Sequence, residues 1–280
     1  ILILYALKSI RAFYILILLM SFTAQNGVDK LKILISPAKK MNTDTDSFHT
    51  IGTPHFIEKA EYLKNILKAM TYEELKKLWN CNDKIASLNF ERLKNMNLKK
   101  NLTPAILSYD GIQYQHMAPG VFTYDQLDYV QEHLIILSGF YGMLRPFDGV
   151  VPYRLEMQAK LSGKNFKSLY DFWGSSITEV LSKTTDTIIN LASKEYSRVV
   201  SDSVSDNIRF ITCSFAEIVK EKPVEKGTLC KMARGEMVRY MAENNIVNPE
   251  DTKKFNRMNY SYSACLSDEN NYVFVKSSEI

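Results

Sequence analysis

Leu31-Lys32-Ile33-Leu34-Ile35-Ser36-Pro37 is the stretch on which the fold turns. Four aliphatic residues share it with one charge, and the run ends at a proline. It is too short for a helix and too apolar for an exposed edge, so it predicts a buried strand. Pro37 brings no backbone donor and marks where the strand stops.

Further strands are expected at Thr187–Leu191 (TIINL), Ile208–Phe215 (IRFITCSF), Tyr260–Ala264 and Tyr272–Lys276, with Pro152–Met157 alternating like a strand. Helical spacing of Ile57, Ala60, Leu63, Ile66 and Leu67 predicts a helix within Pro54–Met70. Thr71 with Glu74 is a capping box in form and opens a second helix. Asp83 opens a third. Asp125–Leu137, Leu169–Leu181 and Thr228–Glu243 read as helices as well. The two kinds of element intermix without strict alternation. The expectation is one compact α/β (mixed α+β) domain over 31–276, followed by a short tail at 277–280.

Upstream of Leu31 the composition changes. Residues 12–20 (AFYILILLM) are intensely apolar, and no charge occurs between Arg11 and Asp29. A signal peptide, a membrane anchor and an untranslated upstream reading with the true start at Leu31 compete for residues 1–30. Ser21-Phe22-Thr23 is a poor cleavage site, and the apolar run is short for a span. The favoured expectation is that 1–30 is an apolar extension outside the working protein. That makes the chain cytoplasmic with no stable membrane association.

The 280 residues are 46% hydrophobic and 24% charged, which suffices for a large core. Of the net charge of +4, the first thirty residues carry +2, leaving about +2 on the rest. A nearly neutral body excludes a histone-like polycation, so any nucleic-acid contact must come from a local patch. Cys81, Cys213, Cys230 and Cys265 are too scattered for a structural zinc site and read as free thiols. His49, His55, His116 and His133 form no metal motif. No cofactor fingerprint or nucleophile elbow is present, so neither a cofactor nor a catalytic residue is assigned, and the chain leans away from being an enzyme.

The segment Leu137–Asp148 (LSGFYGMLRPFD) is the richest in chemistry. Gly139 and Gly142 between two helices would let backbone N–H groups approach a phosphate, as in a helix-hairpin-helix element, with Arg145 behind. The spacing is Gly-x-x-Gly, and a helix C-cap followed by a turn is the plain alternative. Lys39 and Lys40 follow the first strand, with Ser36 beside them. Lys231 and Arg234 share a helix face with Gly235 adjacent. Arg154 and Glu156 share one face of their segment, as a structural bridge or as site residues. Asn190, Ser193, Glu195 and Tyr196 fall at a strand-to-helix transition, where Ser193 is a natural N-cap.

Eight segments in order, KILISPAKKM (32–41), KIASLNFER (84–92), PAILSYDG (104–111), LSGFYGMLRPFD (137–148), PYRLEM (152–157), LYDFWG (169–174), INLASKEY (189–196) and KMARGEM (231–237), resemble the YaaA family over nearly all of 31–276. The resemblance implies a cytosolic peroxide-stress protein that lowers free iron and limits Fenton damage. It also implies an unusual α/β fold with a helix-hairpin-helix DNA-binding element and a positively charged cleft. The expected partner is double-stranded DNA, bound without sequence specificity. Carried onto this sequence, the hairpin falls on Ser138–Leu144, including Ser138, Gly139 and Gly142. The cleft cations are then Lys39, Lys40, Arg145, Arg154, Lys231 and Arg234, with Ser36, Glu156, Asn190, Ser193 and Tyr196 lining it. Met232 departs from the family, which often has a second basic residue there. The alternative is an enzyme acting on a nucleotide or other anionic small molecule in the same cleft.

Overall fold

Leu31–Ile35 forms β1, a central strand of the computed structural model, which describes residues 31–277. The expectations for residues 1–30 lie outside the described residues. The remaining strands are β2 (Lys40–Met41), β3 (Thr103–Pro104), β4 (Tyr109–Asp110), β5 (Leu134–Ser138), β6 (Gly142–Leu144), β7 (Gly149–Val150), β8 (Thr187–Asn190), β9 (Arg209–Val219), β10 (Lys222–Val224), β11 (Tyr260–Tyr262) and β12 (Asn271–Lys276).

The main sheet runs β11-β12-β9-β8-β1-β5-β6, with β10 folded back onto β9. β1 pairs in parallel with β5 through Ile33↔Leu134 and with β8 through Ile33↔Ile189. β8 pairs in parallel with β9, and β9 with β12. Antiparallel strands close both edges. Leu31, Ile33 and Ile35 are buried on one side of β1 and Leu34 on the other. Both faces of the sheet centre are therefore covered, as a parallel sheet requires.

The helix Tyr124–His133 packs against β1 and β5, and Gly227–Glu243 packs against β9. Ile57–Lys68, Tyr72–Trp79 and Asp83–Lys94 form a separate helical layer. Lys59 Nζ ties this layer to the Ser176 hydroxyl at 2.7 Å. The capping box at Thr71 is present: Glu74 N–H donates to Thr71 Oγ1 at 3.3 Å, and Glu74 Oε2 accepts from Thr71 N–H at 2.8 Å.

The mixed α/β class follows as expected, with four local corrections. The helix foreseen over Asp125–Leu137 ends at His133, and Leu134–Ser138 continues as a fully buried strand. A run of four aliphatic residues cannot keep a solvated helix face, but it suits a strand covered on both sides. The helix over Leu169–Leu181 is two, Leu169–Trp173 and Ser176–Leu181, interrupted at Gly174. Pro152–Met157 belongs to no strand, although its alternation of buried and half-buried residues is real. The segment pairs with no ladder, and Pro152 lacks the N–H to join one.

The fourth correction concerns Ser138–Leu144. It is a tight β-hairpin between β5 and β6, with Ser138 opposite Gly142, and not a helix-hairpin-helix. Ser138 Oγ accepts the N–H groups of Phe140 and Tyr141 at 3.2 and 2.9 Å, so these donors are used within the turn. Among the described residues no helix is long and apolar enough to cross a membrane.

Candidate functional site

The chain leaves β1 towards β5 and later crosses back to β8 on the other side of β1. Strand order therefore reverses between β1 and β8. The crevice outside the carboxyl ends of such a strand pair is where open α/β sheets take ligands. Here those ends lead into Ser36 and into Leu191–Ser193, followed by the helix Lys194–Ser201. Ser193 N–H donates to Ser36 Oγ at 2.8 Å, and the Ser36 hydroxyl donates to Ser193 Oγ at 3.2 Å. Tyr114 OH donates to Ser36 O at 3.0 Å.

Above this junction lies a charged triad. Glu156 Oε1 is 3.0 Å from an Arg154 guanidinium nitrogen and 3.3 Å from Lys39 Nζ. Arg154 and Glu156 are largely buried, with 10% and 14% of their side chains exposed, whereas Lys39 is 64% exposed. The Glu156 oxygen lies within ion-pair distance of both cations yet makes no aligned hydrogen bond. The contact is one of charge, out of line with the N–H bonds.

Gly139 explains how Glu156 is placed. A Cβ there would sit 2.5 Å from Leu155 O and 3.0 Å from Glu156 C. Only a residue without a side chain lets the Leu155–Met157 backbone lie across the hairpin. Ser138 reinforces the same junction. Its Oγ is 2.6 Å from Tyr153 OH, which is 2.8 Å from Tyr109 OH.

Glu195 is the residue that the sequence singled out least and the structure brings in most directly. Its Oε1 accepts from Gln158 N–H at 3.3 Å. Burial raises its carboxyl, and the nearby Glu156 charge adds to this, while Lys39 and the Gln158 and Met157 N–H groups oppose it. Tyr196 beside it is raised by burial and by Tyr153, Glu195 and Glu156. Tyr153 is pushed up to about 12, chiefly by burial. These phenols are therefore neutral donors and not bases. Only its position one residue past the first turn's start pointed to Glu195; Tyr109, Tyr114 and Tyr153 carried no sequence signal beyond being aromatic.

The other expected residues are placed as follows. Asn190 Nδ2 donates to Thr212 Oγ1 at 3.3 Å, and its Oδ1 accepts from Ala192 N–H at 3.0 Å, which shapes the turn after β8. Arg234 is half-buried, lies 3.9 Å from Glu225, and its charge acts on buried Cys213 of β9. Lys231 is exposed on the same helix. Lys40 pairs with Asp110 across β2 and β4, outside the triad. Arg145 is bound by Asp148, whose Oδ1 accepts from Nε and Nη2 at 3.1 and 2.9 Å. Ser138, Gly139 and Gly142 are buried, and Trp173 covers Gly142. The structure thus joins Ser36, Lys39, Arg154, Glu156, Ser193 and Tyr196, and leaves Lys40, Arg145 and Lys231 apart from them. Among the described residues no three His, Cys, Asp or Glu side chains are grouped to hold a metal ion.

Fold and site together define a class: a mixed α/β protein with an ion-paired, half-buried polar cluster where its sheet reverses order. The family profile described as peroxide stress protein YaaA matches residues 31–266. A UPF0246 protein of Lachnoclostridium phytofermentans is 55% identical over 246 residues, covering 88% of this chain and 96% of its own length. UPF0246 proteins of Pediococcus pentosaceus and Desulfitobacterium hafniense are 50% and 52% identical over 247 residues, each covering 88% of this chain and 98% of the relative. The chain belongs to the YaaA family of peroxide stress proteins.

Proposed function

We propose that this protein acts in the cytoplasm during peroxide stress as a sequence-tolerant binder of double-stranded DNA, limiting free iron and Fenton damage. Family membership supports the stress role. The observation that carries the DNA reading is the distribution of charge. Residues 57–100 hold ten Lys and Arg against six Asp and Glu, a net +4 that equals the charge of the whole chain. Among the other expected cations, by contrast, Lys39, Lys40, Arg145, Arg154 and Arg234 each have a carboxylate beside them, which leaves no local excess of charge for a tract of phosphates. Phosphate contact follows local excess charge. The helical layer, with Tyr72–Trp79 and Asp83–Lys94 joined by a short turn, is then the principal face for the duplex, and exposed Lys39, Lys40 and Lys231 are secondary contacts.

Fluorescence anisotropy with unrelated duplexes at low salt tests this. Changing exposed Lys77, Lys84 and Lys94 together to Ala should weaken binding by about tenfold on every sequence and reduce the salt slope by up to ~0.9 per lost contact. Arg145→Ala with Arg234→Ala should have the smaller effect. Absence of duplex binding by the unaltered protein, or equal affinity in all variants, rejects the reading.

A further inference from the structure

Among the described residues, six buried side-chain nitrogen or oxygen atoms have no hydrogen-bond partner: Trp79 Nε1, Asn89 Oδ1, Gln113 Nε2, Arg154 Nε, Glu156 Oε1 and Arg234 Nε. Buried polar atoms are nearly always partnered, because leaving one unpaired costs the fold its full desolvation. Trp79 and Asn89 belong to the helical layer. The other four belong to segments locked together around the carboxyl ends of β1 and β8.

Contacts join these segments directly. Gln113 precedes Tyr114, whose hydroxyl is bonded to Ser36 O. Gly111, two residues earlier, lies against Ala38, so close that a Cβ on it would be 2.9 Å from the Ala38 Cβ. Gly235 lies against Gln113 O, where a Cβ would come within 2.1 Å, and Arg234 is its neighbour. Glu156 and Arg154 reach the same place through Lys39, which follows Ala38. Four buried polar atoms without a hydrogen bond thus belong to segments packed around the strand ends that topology marks as the ligand crevice.

Their chemistry specifies what would satisfy them. Gln113 Nε2 and the Nε atoms of Arg154 and Arg234 are free N–H donors, two of them on guanidinium groups that suit an anionic acceptor. Glu156 Oε1, ion-paired yet without an aligned hydrogen bond, can accept from a hydroxyl or amino donor. We infer that this crevice binds a small phosphate ester bearing its own hydroxyl or amino groups, of the nucleotide or sugar-phosphate class, with Gln113, Arg154 and Arg234 on the phosphate and Glu156 on the donor group. This site is distinct from the helical layer proposed as the principal duplex face, sharing only Lys39 with its secondary contacts, and calls for a single anionic head group in place of a tract of phosphates.

Isothermal titration calorimetry of the full chain tests the inference, with adenosine monophosphate, ribose 5-phosphate and inorganic phosphate as probes. About 0.3 M salt is used so that duplex-type phosphate contacts are suppressed. One saturable site per chain is expected for at least one ester, with inorganic phosphate at least tenfold weaker because it brings no hydroxyl or amino donor to Glu156. Gln113→Leu and Glu156→Gln should weaken the ester at least tenfold. Arg154→Lys, which keeps the charge beside Glu156, should fold and still lose affinity. Thermal melting of each variant separates lost binding from lost fold. No saturable heat with any probe, or ester affinity unchanged in folded Gln113→Leu and Arg154→Lys, overturns the inference. Loss of duplex binding in the lysine variant above with ester binding intact would separate the two sites.

Discussion

Gly139 shows how one residue can matter for a reason other than the one its pattern suggests. Two glycines spaced Gly-x-x-Gly imply exposed backbone donors, but the donors of this turn are taken by Ser138 Oγ, and Gly139 is buried beneath Leu155–Met157. The missing side chain serves packing, and through packing it sets the position of Glu156. Gly139→Ala would drive a methyl group to 2.5 Å from Leu155 O, against a backbone that cannot rotate away. Overpacking of this kind costs about 1–3 kcal/mol. Urea denaturation should show that loss. A variant within a few tenths of a kcal/mol of the parent would mean that the strap shifts freely and that Gly139 does not position Glu156.

At the scale of elements, two helices illustrate opposite relations between local preference and tertiary demand. Tyr124–His133 begins with a capping box, in which Gln126 N–H donates to Thr123 Oγ1 and Gln126 Oε1 accepts from Thr123 N–H. Here local chemistry and fold agree, and Thr123→Ala should destabilise by ~1 kcal/mol in the same assay, a neutral result counting against the cap. Gly227–Glu243 contains Gly235 in its interior, where alanine would favour the helix by up to about 1 kcal/mol. The Gln113 carbonyl occupies the space a methyl group would need. Gly235→Ala should therefore lower the melting temperature despite its propensity, and a raised one would show that the two helices can part without cost. The same contrast explains what the sequence disclosed. Several helix starts and five of the twelve described strands, β1, β8, β9, β11 and β12, rest on local signals and were legible. The Leu134–Ser138 strand was hidden because its aliphatic residues also fit the spacing of the preceding helix, and only burial on both faces distinguishes the two. In the site, Lys39, Arg154, Glu156 and Ser36 stood out as polar residues near strand ends. The part played by Gln113 and the tyrosines was not legible, since it depends on helices meeting across long stretches of chain.

For the molecule as a whole, charge works in two opposing ways as pH falls. Glu250, on the turn Pro249–Lys254, joins the sheet's β9 and β12 by accepting from Lys253 at 2.6 Å, Tyr272 OH at 2.6 Å and Arg209 at 3.0 Å. The Lys253 hydrogen bond, followed by that of Tyr272, holds its carboxyl at about 2 against an ordinary 4.5. A carboxyl held low in the folded state gives stability that is fully present above the unfolded value and drains away as pH falls towards the folded one. Asp148 and Glu195 have the reverse sign. Burial raises both, so their charged forms cost the fold at neutral pH, and that cost is relieved on protonation. Glu250→Gln should consequently flatten the urea-midpoint profile between about 4.5 and about 2 while changing little at pH 7 beyond the loss of a half-exposed pair. Solvent screening keeps that loss near ~1 kcal/mol or below. Profiles that remain parallel from pH 5 to pH 2 would show that the Arg209–Glu250–Lys253 group does not govern acid stability, and would leave the buried carboxyls at Asp148 and Glu195 as its determinants.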